Sequence, residues 1–276
     1  MRAMNHIALH YTFVGQGCAG IQVSQPAATV EAGAMWMDVY NAVTTMAGRY
    51  VQGGCATVGV AGPIQSGGFG SFSKNYGMAA AGLLEAEVVT ADGAARIADA
   101  CTNPDLFWEI KGGGGQLWRC HQSHTQDART SCLFRWSLRN DQATSDATFR
   151  RLIDQFISFY NDNLFIPHWG ESITFRPDNT VAISMVFQGL NKQQAVNVWQ
   201  PFFNWLARSA PDLAITAGAR IRSIPARHWC DGEYIRKNVP DRAFTHQPAG
   251  SAGNPCVVGS QSRRGRDLPA WLGGEG

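Results

Sequence analysis

The stretch that decides the fold reads Gly53-Gly54-Cys55-Ala56-Thr57-Val58-Gly59-Val60-Ala61-Gly62, then Pro63-Ile64-Gln65-Ser66-Gly67-Gly68-Phe69-Gly70, and it closes at Gly77. Glycines at this density let the backbone take positive φ and come close to a ligand. Successive exposed N–H groups can then cradle a phosphate or pyrophosphate. A flexible surface loop would share the glycines. The apolar and β-branched residues between them (Thr57, Val58, Val60, Ile64, Phe69) argue for an ordered segment instead. No GxxxxGK[ST] occurs, and the third glycine of a GxGxxG begun at Gly68 would fall at Ser73, so neither a P-loop nor a dinucleotide fingerprint is supported.

Working outward, Ala28 to Glu31 reads as a strand, and Trp36, Val39, Tyr40, Val43 and Ala47 fall at helical spacing before Gly48. Leu83 to Thr90 and Ala94 to Ala98 read as a hairpin about Ala91-Asp92-Gly93. Asn103-Pro104-Asp105 opens a turn or helix. Residues 116–143 show no steady period and are read as irregular. Ser145 or Asp146 caps a helix whose stripe is Phe149, Leu152, Ile153, Phe156 and Tyr160. Ile173 to Phe175 and Val181 to Phe187 read as strands joined by Arg176-Pro177-Asp178-Asn179. Ala195, Val198, Trp199, Phe202 and Leu206 mark a further helix, bent at Pro201. Leu213 to Ala217 adds a strand, and from about Asn254 the composition predicts a loose tail.

The formal net charge of +2 gives no argument for nucleic acid or a membrane surface. Charge is uneven, with five Lys/Arg against eight Asp/Glu up to Gly115 and the basic excess beyond it, but a solvated surface accounts for that. Seven widely spread cysteines without a CxxC pair give no disulfide framework and no zinc signature. No apolar run approaches the ~18 residues of a membrane span. The first twenty residues show no signal peptide, which gives the expectation of a cytoplasmic protein, subject to any sequence preceding residue 1. Cys120, His121, His124 and Cys132 fit no common zinc spacing. His168 with Glu171, and His228 with Asp231, have the residue types for proton exchange but lack motif context.

From Thr29 to Gly115 the ordered motifs converge. They are Val30-Glu31-Ala32-Gly33 leading to Trp36 and Val39-Tyr40; Gly54 to Val60; Gly67-Gly68-Phe69-Gly70; Ser73-Lys74-Asn75-Tyr76-Gly77-Met78-Ala79; Glu87 to Gly93; Asn103-Pro104-Asp105-Leu106-Phe107-Trp108; and Lys111-Gly112-Gly113-Gly114. This series resembles the flavin domain of the p-cresol methylhydroxylase-type (vanillyl-alcohol-oxidase) superfamily, and within it the berberine-bridge-enzyme-like oxidases. The resemblance implies an α+β protein. It places a partial FAD-binding subdomain at 1–115, an irregular segment at 116–143, a substrate-side mixed or antiparallel sheet flanked by helices at 144–253, and the tail at 254–276.

The resemblance also implies FAD as cofactor and oxidase-type hydride transfer from a small organic or carbohydrate-like substrate, with oxygen reoxidising the flavin. It assigns Gly54, Thr57, Val58, Gly59, Gly62, Gly67, Gly68, Gly70 and Gly77 as flavin contacts, with Val89 on the adenine side. It matches Cys55 to the cysteine that in some members forms a thioether to carbon 6 of the flavin, chemistry that needs a thiolate. A small buried cysteine that only packs is the other reading. Three departures follow. Ala81-Gly82 stands where an Asp-Asn is frequent. The first subdomain, with its phosphate-binding loop, is expected to precede residue 1. After Gly114 the family strand gives way to Gln116-Leu117-Trp118. The expectation is therefore a truncated product with frame shifts near 116–143 and after about 253. A non-catalytic fragment with weak or no flavin binding is the alternative. No metal is expected, no residue matches a catalytic base, and the oligomeric state is left open.

Overall fold

The computed structural model describes residues 3–53, 56–113, 123–126, 133–209, 211–215, 220–228 and 231–238. The chain folds as an α+β protein around two hydrophobic cores. In the first half, β1 (Ile7–Phe13) pairs antiparallel with β2 (Gln25–Val30), as Ile7 opposite Val30 and His10 opposite Ala27. The helix expected from Trp36 forms as α1 (Trp36–Tyr40) and continues as a π-helical turn, Asn41–Met46. Trp36, Val39 and Val43 of its apolar stripe have at most 1% of their surface exposed, while Tyr40 and Ala47 are half-buried. Burying each contributes about 1.5–3 kcal/mol. Gly48 ends the turn at φ +67.

Next come the short β3 (Tyr50–Val51), α2 (Ala61–Gln65) and α3 (Ser73–Tyr76). The expected hairpin forms from β4 (Glu85–Val89) and β5 (Ala95–Asp99), with Glu85 opposite Asp99. Its alternation places Ala86, Val88 and Ala98 in the first core. Helix α4 (Pro104–Ile110) starts on Pro104 and docks Phe107 and Ile110 on that core.

The irregular reading of 116–143 needs correction where the chain is described. Ser123–Gln126 forms β6, which joins β2 to β3 and completes a four-stranded sheet in the order β1-β2-β6-β3. Leu133–Ala143 forms β7, an eleven-residue strand. It is set by pairing on both sides: β9 (Thr180–Phe187) along one edge, β10 (Leu213–Ile215) and β11 (Arg220–Ile224) along the other. The period-two signal is present in Phe134-Arg135-Trp136-Ser137-Leu138-Arg139, but the polar residues around it hide it in a wider window.

Strand β8 (Trp169–Phe175) completes this five-stranded antiparallel sheet beside β9. Asn179, at φ +58, turns β8 into β9. Helix α5 (Asp146–Phe159) is capped by Ser145, whose hydroxyl accepts from the Thr148 N–H at 3.2 Å. Helix α6 (Lys192–Arg208) begins with a capping box: Asn191 accepts from Gln194 N–H at 2.9 Å, and Gln194 accepts from Asn191 N–H at 2.8 Å. Pro201 lies inside α6, which continues through it. Both helices pack aromatic faces on the sheet, with Phe159 5.1 Å from Trp199 and Trp169 6.2 Å from Trp199 by ring centroids. A last helix, α7 (Gly232–Asn238), follows. No helix among the described residues is long and apolar enough to cross a membrane. The tail expected from 254 lies outside the described residues.

One covalent feature was not expected. Cys18 and Cys101 form a disulfide across 83 residues, with Cα atoms 5.3 Å apart. Sequence spacing cannot pair cysteines that the fold brings together. The bond fastens the 3-10 turn Gln16–Cys18 to the end of β5. Asp99, wholly buried, accepts there from the N–H groups of Gly17 (2.8 Å), Cys101 (2.7 Å) and Thr102 (2.6 Å). Glu85 accepts from Gln16 N–H at 2.6 Å.

Candidate functional site

The glycine run leaves β3, and its first described glycine is fixed by packing. A Cβ on Gly53 would lie 2.3 Å from the Trp36 ring. Gly54 and Cys55 lie outside the described residues. Residues 56–60 then run beside 34–37 in a strand-like pairing. Met37 N–H donates to Ala56 O at 2.9 Å, Trp36 N–H to Val58 O at 3.0 Å, and Val60 N–H to Ala34 O at 2.9 Å. This pairing buries Ala56 and Val60 and leaves Thr57 and Val58 exposed.

The run next turns back on itself. Gly67 and Gly68 both adopt positive φ, +87 and +67, and their carbonyls accept from Ala80 N–H (2.9 Å) and Ala79 N–H (2.7 Å). Such consecutive left-handed residues strongly favour glycine. Gly112, on the segment after α4, approaches the same turn: a Cβ on it would lie 4.0 Å from Gly67 N.

What each glycine leaves empty separates two roles. A Cβ on Gly68 would meet the Ala79 Cβ at 2.7 Å, and one on Gly70 would meet Gly53 O at 2.6 Å. The fold itself therefore requires glycine at 68 and 70. A Cβ on Gly62 would meet nothing within 4 Å, one on Gly59 only Ala34 O at 3.9 Å, and one on Gly67 only the Met78 methyl at 3.8 Å. Among the described residues no atom explains the missing side chains at 59 and 62, which leaves room beside the backbone there. Gly77, at φ +78, closes the run after α3. Val89 stands apart on the β4–β5 hairpin, 38% exposed, while its neighbour Val88 enters the core.

A residue absent from the sequence reading organises the run. Gln52, 8% exposed, donates through Nε2 to Ser73 Oγ at 2.8 Å and to Gly77 O at 3.1 Å. Ser73 Oγ in turn accepts from Gly70 N–H at 3.0 Å. The Tyr50 hydroxyl donates to Gln52 Oε1. Burial, reinforced by the neighbouring Tyr40 and Tyr76, pushes the Tyr50 phenol well above its ordinary pKa. Nothing in the sequence distinguishes this glutamine from a surface one.

The other sequence candidates have structural roles. His168 shares a hydrogen bond at 2.9 Å between Nδ1 and Gln188 O and leads into β8. His228 Nδ1 lies 3.1 Å from Asp231 Oδ2, and its ring stacks on Tyr234 at 4.0 Å. Cys120, His121 and Cys132 lie outside the described residues. Among the described residues one cluster has metal-ligand geometry, Cys18, Asp99 and Cys101, and its two sulfurs are already joined to each other.

Comparison with known proteins points to one ligand class. Residues 13–98 match the model of an FAD binding domain. The FAD-linked oxidoreductase phmC of Phaeosphaeria nodorum is 41% identical over 115 residues, covering 41% of this chain and 26% of the relative. The VAO-type flavoprotein oxidase VAO615 of Thermothelomyces thermophilus is 31% identical over 186 residues, covering 66% of this chain and 32% of the relative. The crystal structure of the VAO-type flavoprotein MtVAO615 from Myceliophthora thermophila C1 superposes with a TM-score of 0.68 at 24% identity, over 81% of this chain and 40% of that one. Residues 13–98 thus carry an FAD binding domain, and the chain is similar to VAO-type flavoprotein oxidases and to reticuline oxidase. The matched domain makes FAD the cofactor class, and at Gly59, Gly62 and Gly67 no atom of the described residues would crowd a Cβ, which leaves room for close approach. The chain spans about a quarter to a third of the length of these curated relatives.

Proposed function

We propose that this chain supplies one wall of the FAD site of an oxidase, with Gly54, Thr57, Val58, Gly59, Gly62, Gly67, Gly68, Gly70 and Gly77 along the cofactor and Val89 toward its adenine end. The observation that carries this reading is the unfilled space beside Gly59 and Gly62, inside the segment matching an FAD binding domain. FAD held there would supply the redox chemistry, hydride acceptance from a substrate carbon with reoxidation by oxygen. The chain's own residues bind and orient. Backbone N–H groups along the run meet the anionic part of the cofactor. Gln52 fixes the run's curvature through Ser73 and Gly77. The apolar core behind it, with Trp36 under Gly53, keeps water from that side. We assign no catalytic base. The substrate in this reading is a small organic or carbohydrate-like molecule held on the five-stranded sheet side.

Cys55 is the proposed covalent attachment point, by its place in the family motif. The Cys18–Cys101 disulfide favours an oxidising compartment, because such bonds persist mainly there.

Visible absorbance tests the reading. Purified chain incubated with FAD and desalted should retain a flavin spectrum, and acid precipitation should leave the colour in the pellet unless Cys55→Ser is present. A colourless protein that FAD cannot reconstitute would favour the alternative, a fragment without catalytic capacity.

A further inference from the structure

Among the described residues, 71–76 at the end of the glycine run touch the second half of the molecule. Lys74 Nζ donates to Leu164 O at 2.7 Å and lies 5.1 Å from the Tyr160 ring centre. A Cβ on Gly170, in β8, would come within 1.9 Å of Ser71 O, so the two backbones are in direct contact. The Tyr76 hydroxyl donates to Gln188 Oε1 at 2.9 Å. Gln188, 7% exposed, follows β9 directly and is locked in turn: its Nε2 donates to Pro167 O at 3.3 Å and its N–H to His168 O at 2.9 Å.

The same segment is held from the other side by the residues that shape the run. Gln52 reaches Ser73 and Gly77, either side of Tyr76. The Tyr76 ring lies 4.6 Å from Tyr50, whose hydroxyl bonds Gln52. A path of hydrogen bonds, bridged by the Tyr76–Tyr50 ring contact, therefore joins the loop between β9 and α6 to the carbonyl and N–H groups of Gly70 and the carbonyl of Gly77. Buried side-chain networks of this kind are worth more than isolated pairs, because their members hold one another in place.

We propose that Tyr76 and Gln188 are positioning residues through which the five-stranded sheet sets the conformation of the glycine run. The link to the cofactor rests on the FAD reading above; the mechanical link does not. In a flavin enzyme this clasp would make the cofactor loop respond to whatever occupies the sheet side. It also makes Gln188, a residue outside the FAD-domain match, a determinant of flavin binding.

The test uses Tyr76→Phe, which keeps the ring and removes only the hydroxyl, and Gln188→Met, which keeps the side-chain length. Arg151→Ala, which breaks an exposed ion pair to Asp212 in the same half, is the control. Amide hydrogen exchange is first measured on FAD-free protein. Either clasp variant should speed exchange at residues 70–77 by about 3- to 10-fold, the effect of losing one hydrogen bond. The double variant should do no more than the worse single one. Exchange within β9 and in the Arg151→Ala control should stay unchanged. Unchanged exchange at 70–77, or an additive double variant, would overturn the clasp. FAD titration is the second arm. Gln188→Met should weaken binding by a similar factor and alter the shape of the bound flavin spectrum. Unaltered affinity and spectrum in that variant would overturn the link to the cofactor. If the wild-type chain binds no FAD, the oxidase reading fails, while the exchange data still decide the clasp.

Discussion

The core behind the glycine run is built largely from small residues, with Ala28, Ala34, Ala79, Ala80, Ala86 and Ala98 among its buried members. The core of the second half is aromatic, with Phe156, Phe159, Trp169, Phe187, Trp199 and Phe202 all at most 4% exposed. Small residues bring backbones close and hand the shaping of the surface to main-chain geometry. Aromatic residues bury large areas and hold sheet and helices together through side chains. The first half is therefore sensitive to added atoms, and the second to removed ones. That division suits a backbone cradle supported by a rigid neighbour.

The largest effect should come from the aromatic side. Trp199→Ala removes a ring in contact with Phe159, Trp169, Phe202 and Phe203, and should cost about 3–5 kcal/mol in urea unfolding. Retention of a wild-type midpoint would show that this core does not carry the second half.

The disulfide comes next. Cys18→Ser should lower stability by about 2–4 kcal/mol and raise the mobility of the 14–20 turn. Equal melting of the oxidised wild type and the serine variant would contradict the clasp seen at Asp99.

Gly68→Ala tests the backbone side. Its methyl would strike Ala79 at positive φ, for an expected loss of about 1–3 kcal/mol. A neutral result would mean that the turn at Gly67-Gly68 is not required.

A smaller, pH-dependent effect is expected at Tyr50. Its phenol titrates well above the ordinary 10.0 in the fold, chiefly because it is buried. The neutral form thus contributes stability that is present below about pH 10 and is lost as pH rises through the higher folded value. Urea midpoints of the wild type should fall more steeply above that pH than those of Tyr50→Phe. Parallel curves would remove the buried phenol from the account.

Much of the frame is legible in the sequence, and the two halves are legible for different reasons. Helices α5 and α6 show through periodicity and caps, since Ser145 and Asn191 mark their starts. The glycine run shows through ordered motifs, because close backbone approach permits few residue types. Strand β7 was missed because pairing on both edges, a tertiary effect, decides it. The Cys18–Cys101 bond was missed because its partners are 83 residues apart. The bonding roles of Gln52, Tyr76 and Gln188 were missed because a hydrogen-bond partner leaves no local pattern. Even within the motif, sequence could not separate Gly68 and Gly70, required by packing, from Gly59 and Gly62, which face open space.

That last distinction permits the most direct test. Gly62 lies in α2, where a Cβ meets no atom of the described residues within 4 Å. Gly62→Ala should leave folding unharmed or stabilise it by about 0.5–1 kcal/mol. FAD titration of this variant beside the wild type is the decisive measurement. The account predicts affinity lowered about 10-fold, on the order of 1.4 kcal/mol, with stability maintained. Full FAD affinity in the alanine variant would contradict the claim that the open backbone of this run is what holds the cofactor.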